Sequence, residues 1–324
     1  MAIGSQASSI ADRDGQTADL RITTIWEGPS LLGESPLWDA RRQRLFWIDS
    51  LWQRIWSADA EGGMVQSWEL PDLIGSIGLC DDGRFIAGLG RGFALISLED
   101  DAPSIDWIAD PDPTQPDTRL NDGKVDRHGR YWCGTMNMNF NKSNAALYLL
   151  HPDRHWELVD NGFTVSNGIA FSPDGTHLYF SDSRVDRSYR YDLDPVTGLP
   201  GQRHVFLDTT AYEGRVDGAT VDSDGRYWAA LFRGSAVGCF APDGQMLRRI
   251  ELPFSCPTMC TFGGPDLEIL YVTSATFPLS AEEKASEPRA GALLSIEGLG
   301  VRGLEEPRFN TGAEKQEPAQ TGTP

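Results

Sequence analysis

The sequence predicts an all-β chain folded as a six-bladed β-propeller with four-stranded antiparallel blades. Three observations carry that expectation. One strand-like segment recurs six times, turn-forming residues separate the copies, and amphipathic helical spacing is hard to find anywhere along the chain.

The recurring segment is clearest in Arg44-Leu45-Phe46-Trp47-Ile48-Asp49-Ser50 and His177-Leu178-Tyr179-Phe180-Ser181-Asp182-Ser183. Each copy starts polar, runs through aromatic and β-branched residues, and ends small, which is strand composition. The copies begin at residues 44, 84, 130, 177, 226 and 268, a period of 40 to 49 residues. Turn chemistry lies between strands at Asp81-Asp82-Gly83, His128-Gly129, Pro173-Asp174-Gly175, Asp224-Gly225 and Pro242-Asp243-Gly244. Further strands follow the marked ones at Ala146–Leu150, Ser188–Tyr191 and Val237–Phe240. Units of four strands at this period are the pattern of a propeller. Leu20–Trp26 precedes the first unit and is expected to pair with the last blade, closing the ring. The division expected is a tail over residues 1–18, one propeller domain over 19–310, and a second tail over 311–324, both tails polar and frayed.

Composition narrows the function classes. A formal charge of −19 and a pI near 4.6 oppose a phosphate-binding surface, so no nucleic-acid partner is expected. No apolar run is long enough to span a bilayer, and Met1–Gln16 lacks the basic start and apolar stretch of a secretory leader. Five sparse cysteines fit reduced thiols, so a cytoplasmic protein is expected, a monomer or weak homo-oligomer without a membrane partner. The five histidines show no metal spacing, and Gly-x-Ser-x-Gly is absent.

The chemistry concentrates in one repeat column: Glu34, Asp122, Asn167 and Asp217 each head a similar segment. Asp beside Gly is a common turn pair, and Asp126, Asp174, Asp222 and Asp224 are assigned to turns on that ground. The column itself is different, because Gly75 and Cys256 stand in it in the second and sixth units, so the backbone there does not demand an acid. Around an axis these oxygens converge, and a ring of carboxylate and amide oxygens without histidine suits a hard divalent cation.

These residues resemble the SMP-30/gluconolactonase/luciferin-regenerating-enzyme family, which includes regucalcin. The matching stretches are Gly33–Trp38, Arg119–Lys124, Asn167–Gly175 and Val216-Asp217-Gly218, and the resemblance runs from about Trp26 to Phe309. It implies a six-bladed propeller with a central divalent ion held by Glu34, Asn167 and Asp217, and substrate contacts from Arg119 and Asn121. Calcium is the ion expected; zinc, magnesium, manganese or iron(II) are alternatives. Regucalcin-like members use a Glu shortly after a Gly-Thr-Met motif; here Gly134-Thr135-Met136 is followed by Asn137-Met138-Asn139, so Asn139 stands where that acid is expected. Many members hydrolyse sugar lactones such as gluconolactone.

The resulting expectation is hydrolysis of an aldonolactone to its aldonic acid. The cation polarises the carbonyl, and Asp217 takes the proton of the attacking water. Arg119 and Asn121 hold the substrate through hydrogen bonds, and Asp122 either supports the ligands from behind or reaches the ion itself. The alternatives are a hydrolase of other esters or non-sugar lactones, and a non-catalytic calcium- or sugar-binding propeller.

Overall fold

The computed structural model describes residues 6–11, 17–98 and 102–312. Six antiparallel sheets surround a common axis. From the axis outwards, blade I is Gly33–Asp39, Arg44–Asp49, Arg54–Ala58 and Gln66–Glu69. Blade II is Ile74–Leu79, Phe85–Leu89, Gly92–Ser97 and Ser104–Ala109; blade III is Thr118–Val125, Tyr131–Asn137, Ala145–Leu150 and Trp156–Phe163. Blade IV is Ser166–Phe171, His177–Asp182, Arg187–Leu193 and Pro200–Asp208; blade V is Arg215–Val221, Tyr227–Phe232, Ala236–Phe240 and Met246–Glu251. The six marked sequence segments are the second strands, one per blade.

Blade VI contains Pro257–Gly263, Ile269–Ser274 and Leu293–Glu297, and takes Thr17–Trp26 as its fourth strand. That strand pairs antiparallel with Leu293–Glu297, with Arg21 opposite Glu297 and Trp26 opposite Leu293. The ring closes as the sequence predicts, which removes one exposed edge from the first and last elements. A fifth strand, Gln6–Ala11, pairs outside Thr17–Trp26, so part of the expected N-terminal tail is strand. The rest of that tail, and the C-terminal tail from residue 313 onward, lie outside the described residues.

Inner strands are buried on both faces: every residue of Ile74–Leu79 and Ser166–Phe171 is buried. They are sandwiched between neighbouring blades, so no apolar–polar alternation is needed. Outer strands such as Ser104–Ala109 face solvent. The core is a ring of layers between blades. Trp228, Val237 and Ile250 of blade V pack with Cys260 and Leu294 of blade VI, and Phe46 and Ile48 of blade I pack with Ile77 and Phe85 of blade II. The five cysteines are free and buried.

The turns closing the inner strands of blades III and V share a built-in clamp. Asp126 Oδ1 accepts the backbone N–H groups of His128 and Arg130, both at 2.9 Å, while Oδ2 accepts Trp132 Nε1 at 2.8 Å. Asp222 repeats this with Asp224 and Arg226 N–H and with Trp228 Nε1 at 2.9 Å. The turn assignment of these acids holds, and the same bonds explain why Trp132 and Trp228 can be fully buried with their N–H groups satisfied.

The C-terminal segment runs irregularly beneath the ring, on the side of these turns. Ser223 N–H donates to Arg302 O (2.9 Å), Gly303 N–H to Leu267 O (2.8 Å), Phe309 N–H to Leu79 O (2.7 Å) and Asn310 N–H to Gly129 O (3.0 Å). Lys124 pairs with Glu306 at 3.0 Å, with both side chains largely buried.

Asp222→Ala leaves an indole N–H, two backbone N–H groups and Arg226 without their buried acceptor. It is expected to cost about 3–5 kcal/mol in urea unfolding. Asp224→Ala, which removes only an exposed ion pair to Arg226, is expected to cost less than about 1 kcal/mol.

Candidate active site

Each inner strand enters at the face opposite those turns and shows a register irregularity close to its entry, for example between Glu34 and Leu37, Leu120 and Gly123, and Val216 and Ala219. Such bulges re-aim side chains where a regular ladder would fix them. Space at the axis is short: a Cβ on Gly75 would lie 2.5 Å from Asn121 O. Gly168, beside Asn167, adopts φ +61° and accepts a hydrogen bond from Tyr227 Oη at 2.9 Å.

The bulges correct the repeat column. Asp39, Asp126, Ser172 and Asp222 are equivalent, since each pairs with the first residue of its recurring segment, Arg44, Arg130, His177 and Arg226. Five residues before them stand Glu34, Asn121, Asn167 and Asp217. Asn121 therefore occupies the column in blade III, and Asp122 sits one position further along. In blade VI the same count from Gly264 reaches Met259 rather than Cys256.

Glu34, Arg119, Asn121, Asn167 and Asp217 all line one cavity of about 470 Å³, together with Ser183, Arg184 and Arg215. Asp122 does not line it. Asp122 lies behind, its Oδ2 accepting Ile169 N–H at 2.8 Å and its Oδ1 buried without a hydrogen-bond partner. Asn139 does not line the cavity either. It is exposed, its N–H bound to Asn137 Oδ1 at 3.1 Å, and its neighbours Met138 and Phe140 form the wall instead.

Amide orientation follows from a chain of hydrogen bonds. Asn121 Nδ2 donates to Asn167 Oδ1 (2.7 Å) and Ser166 O (3.0 Å). Asn167 Nδ2 donates to Ser183 Oγ (2.9 Å), whose hydroxyl donates to Val216 O (2.7 Å). Arg119 is buried, and its Nη1 donates to Leu120 O at 2.8 Å. Burial lowers its pKa to about 10, against the opposing pull of Glu34.

The carboxyls are under electrostatic stress. Burial raises Glu34 well above the usual carboxylate range, with Asp217 and then Asp122 adding to it. Burial and Asp122 raise Asp217 in the same way. Burial lifts Asp122 to about 6 despite the Ile169 N–H. Three buried acids face one buried guanidinium, a surplus of negative charge that a divalent cation would neutralise. Among the described residues, no three His, Cys, Asp or Glu side chains are placed to hold a metal ion. The candidate donor set is thus two carboxylates and one amide oxygen, hard oxygens suited to calcium or magnesium.

Sequence reasoning missed the residues that hold the entry loops. Asp49 accepts Leu31 N–H (2.8 Å) and Trp52 N–H (3.0 Å), and Asp182 accepts Thr164 N–H (2.9 Å) and Val165 N–H (3.2 Å). Asn137 does similar work for Asn139 and Asn141. The signal was present: all three end a second strand. Arg184 and part of the apolar wall, Leu51, Met138, Phe140 and Phe277, come from loops, where the repeat carries no information. A short helix, Ala281–Ser286, follows Phe277 and Pro278 of the wall and is capped by Ser280 and Glu283.

A six-bladed propeller with an oxygen-lined axial cavity thus defines the class. Residues 32–276 match the model of the SMP-30/Gluconolactonase/LRE-like region, and the chain belongs to that family. It is 38% identical over 282 residues to a 6-deoxy-6-sulfogluconolactonase of Pseudomonas putida, covering 87% of this chain and 96% of that one. It is 33% identical to regucalcin of Xenopus laevis, covering 90% and 99% of the two chains. A solved structure of a calcium-binding regucalcin from Agrobacterium tumefaciens superposes with a TM-score of 0.84 at 30% identity, over 88% of this chain and 96% of that one. Among the described residues no helix is long and apolar enough to cross a membrane.

The raised carboxyls make a stability prediction with a definite sign. A carboxyl raised on folding binds its proton more tightly in the folded state. Its contribution is fully present below the unfolded value of about 4 and is lost as pH rises through the folded value. For Asp122 that window runs to about 6. In chelator-treated protein these groups are expected to lower unfolding free energy between about pH 5 and about pH 7.5, and added calcium to restore more stability at the upper pH. Urea unfolding at both pH values, with EDTA or calcium, measures this; Asp122→Asn is expected to flatten the pH dependence.

Proposed function

We propose that this chain is a metal-assisted sugar lactonase, opening the ring ester of an aldonolactone to give the aldonic acid. The observation that carries the reading is the convergence of Glu34, Asn167 and Asp217 with Arg119 and Asn121 on one cavity. The names of the relatives support it: one is a lactonase for a sulfonated gluconolactone, and a solved one is described as calcium-binding. Glu34, Asn167 and Asp217 would hold the cation, calcium by its donor set. When bound, it supplies positive charge that polarises the lactone carbonyl and relieves the repulsion among the buried acids.

The remaining chemistry belongs to the protein. Arg119 has a guanidinium that no carboxylate pairs in the described structure, so its free N–H groups can donate to substrate oxygens. Both Asn121 Nδ2 hydrogens are committed to Ser166 and Asn167, leaving Oδ1 to accept from a substrate hydroxyl. Asp217 takes a proton from the water that adds to the carbonyl carbon. As the ring C–O bond breaks, the same carboxyl returns that proton to the departing ring oxygen. Without a cation, burial and Asp122 raise its proton affinity; beside the cation it would hold, that affinity falls, and the same positive charge would make the attacking water more acidic.

A second reading has one observation behind it. Leu32, Leu51, Leu73, Met136, Val165 and Phe232 make the cavity walls apolar. That suits a less polar lactone or ester.

A pH-indicator panel of sugar lactones, non-sugar lactones and aryl esters separates the two, with spontaneous opening subtracted. Turnover of a sugar lactone is expected to disappear with EDTA and return with calcium, magnesium or manganese. Asp217→Asn is expected to lower kcat by about 100-fold or more. Full turnover by that variant would remove Asp217 from the mechanism, and turnover confined to apolar esters would favour the second reading. No turnover of any ester would favour a binding protein.

A further inference from the structure

The cavity carries more positive charge than lactone opening requires. Three arginines from separate elements line it: Arg119 from blade III, Arg184 from the hairpin after the second strand of blade IV, and Arg215 from the entry of blade V. The chain as a whole has a net charge of −19, so this concentration runs against its composition. Many of the protein's exposed arginines pair with carboxylates, as Arg54 does with Glu69 and Arg187 with Asp208. Arg184 does not; among the described residues its guanidinium has no carboxylate partner and lies over the Phe140 ring, 5.3 Å from the centroid. Stacking on a ring holds the guanidinium plane while leaving its N–H edge free. Phe140 itself lines the cavity and is half-exposed, so the stack stands at the mouth. Arg215 lines the same cavity and pairs through Nε with Asp186 Oδ1 at 3.3 Å, which leaves its two terminal nitrogens outside that contact.

Arg119 sits deep, beside Glu34, where the reacting ester belongs. Arg184 and Arg215 line the cavity with exposed side chains, whereas Arg119 is buried, so a lactone with its ester against the buried acids would present its other end to them. A neutral polyol needs hydrogen-bond acceptors and donors there, and an apolar ester needs neither charge. Two guanidinium forks suit a tetrahedral or planar oxyanion.

We propose that Arg184 and Arg215 form a recognition site for an anionic group, a sulfonate or phosphate, on the end of the sugar lactone remote from its carbonyl. This rests on the lactonase reading and specifies its substrate class. The group is bound, not transformed, so its charge is unchanged through the reaction.

Steady-state kinetics on gluconolactone, 6-phosphogluconolactone and 6-deoxy-6-sulfogluconolactone test it. The unmodified protein is expected to prefer an anionic lactone by about tenfold or more in kcat/KM, with the preference shrinking as salt rises. Arg184→Gln is expected to cut kcat/KM for the anionic lactones about tenfold more than for gluconolactone, chiefly through KM. Arg184→Lys is expected to recover part of the loss. A preference between sulfonate and phosphate identifies which anion the pair fits. Equal loss on neutral and anionic lactones, or a wild-type preference for gluconolactone, overturns the proposal and leaves the lactonase reading intact. Absence of turnover on all three, with turnover on other esters, overturns both.

Discussion

Everything in this molecule follows from six first strands having to share one axis. Chains that meet there are buried on both faces and approach each other closely enough that glycine is required at Gly75, where any side chain would strike Asn121 O. The strands relieve the crowding with bulges close to their entry. Those bulges turn Glu34, Asn121, Asn167 and Asp217 towards common space. Carboxyls gathered in this way are buried close to one another, and their pKa values rise accordingly. The architecture thus creates an electrostatic deficit at its own centre, which a cation held by the same groups would remove.

Most of the fold was legible because second strands carry a strong compositional mark. Arg44–Asp49 and Tyr227–Phe232 sit between turn residues and are rich in aromatic and β-branched side chains. First strands carry no such mark, since burial on both faces erases alternation. That is where the reading slipped by one residue. Alignment on Asp-Gly pairs matched Asp122 with Asp217, whereas the turn clamps Asp126 and Asp222 align Asn121 with Asp217. The clamp is the better anchor because its hydrogen bonds are the same in blades III and V, while the residues within a bulge are free to differ.

The sequence therefore pointed to candidates on the inner strands and offered none on the loops that line the cavity. Arg184, Phe140 and Phe277 reach the cavity from connections whose lengths vary among blades, and Arg215 stands on an inner strand but outside the repeat column. Nothing periodic announces them. Asn139 illustrates the same limit from the other side. A motif offset suggested it, but the local turn held by Asn137 sends Met138 and Phe140 inward and leaves Asn139 outside. The overall acidity of the chain likewise said nothing of the basic mouth, because a net charge averages over surfaces with different tasks.

Blade VI is stitched from both ends of the propeller, with Arg21 set against Glu297. The two strands that shut the circle stand at opposite ends of the propeller sequence, so it closes only where the last strand meets the first. Contacts so distant along the chain form late, after the cost of closing a long loop has been met. The proposed ion ligands come from blades I, IV and V, on opposite sides of that seam. An arc of blades opened at that seam would part blade I, with Glu34, from blades IV and V, with Asn167 and Asp217; the closed circle brings all three to one cavity.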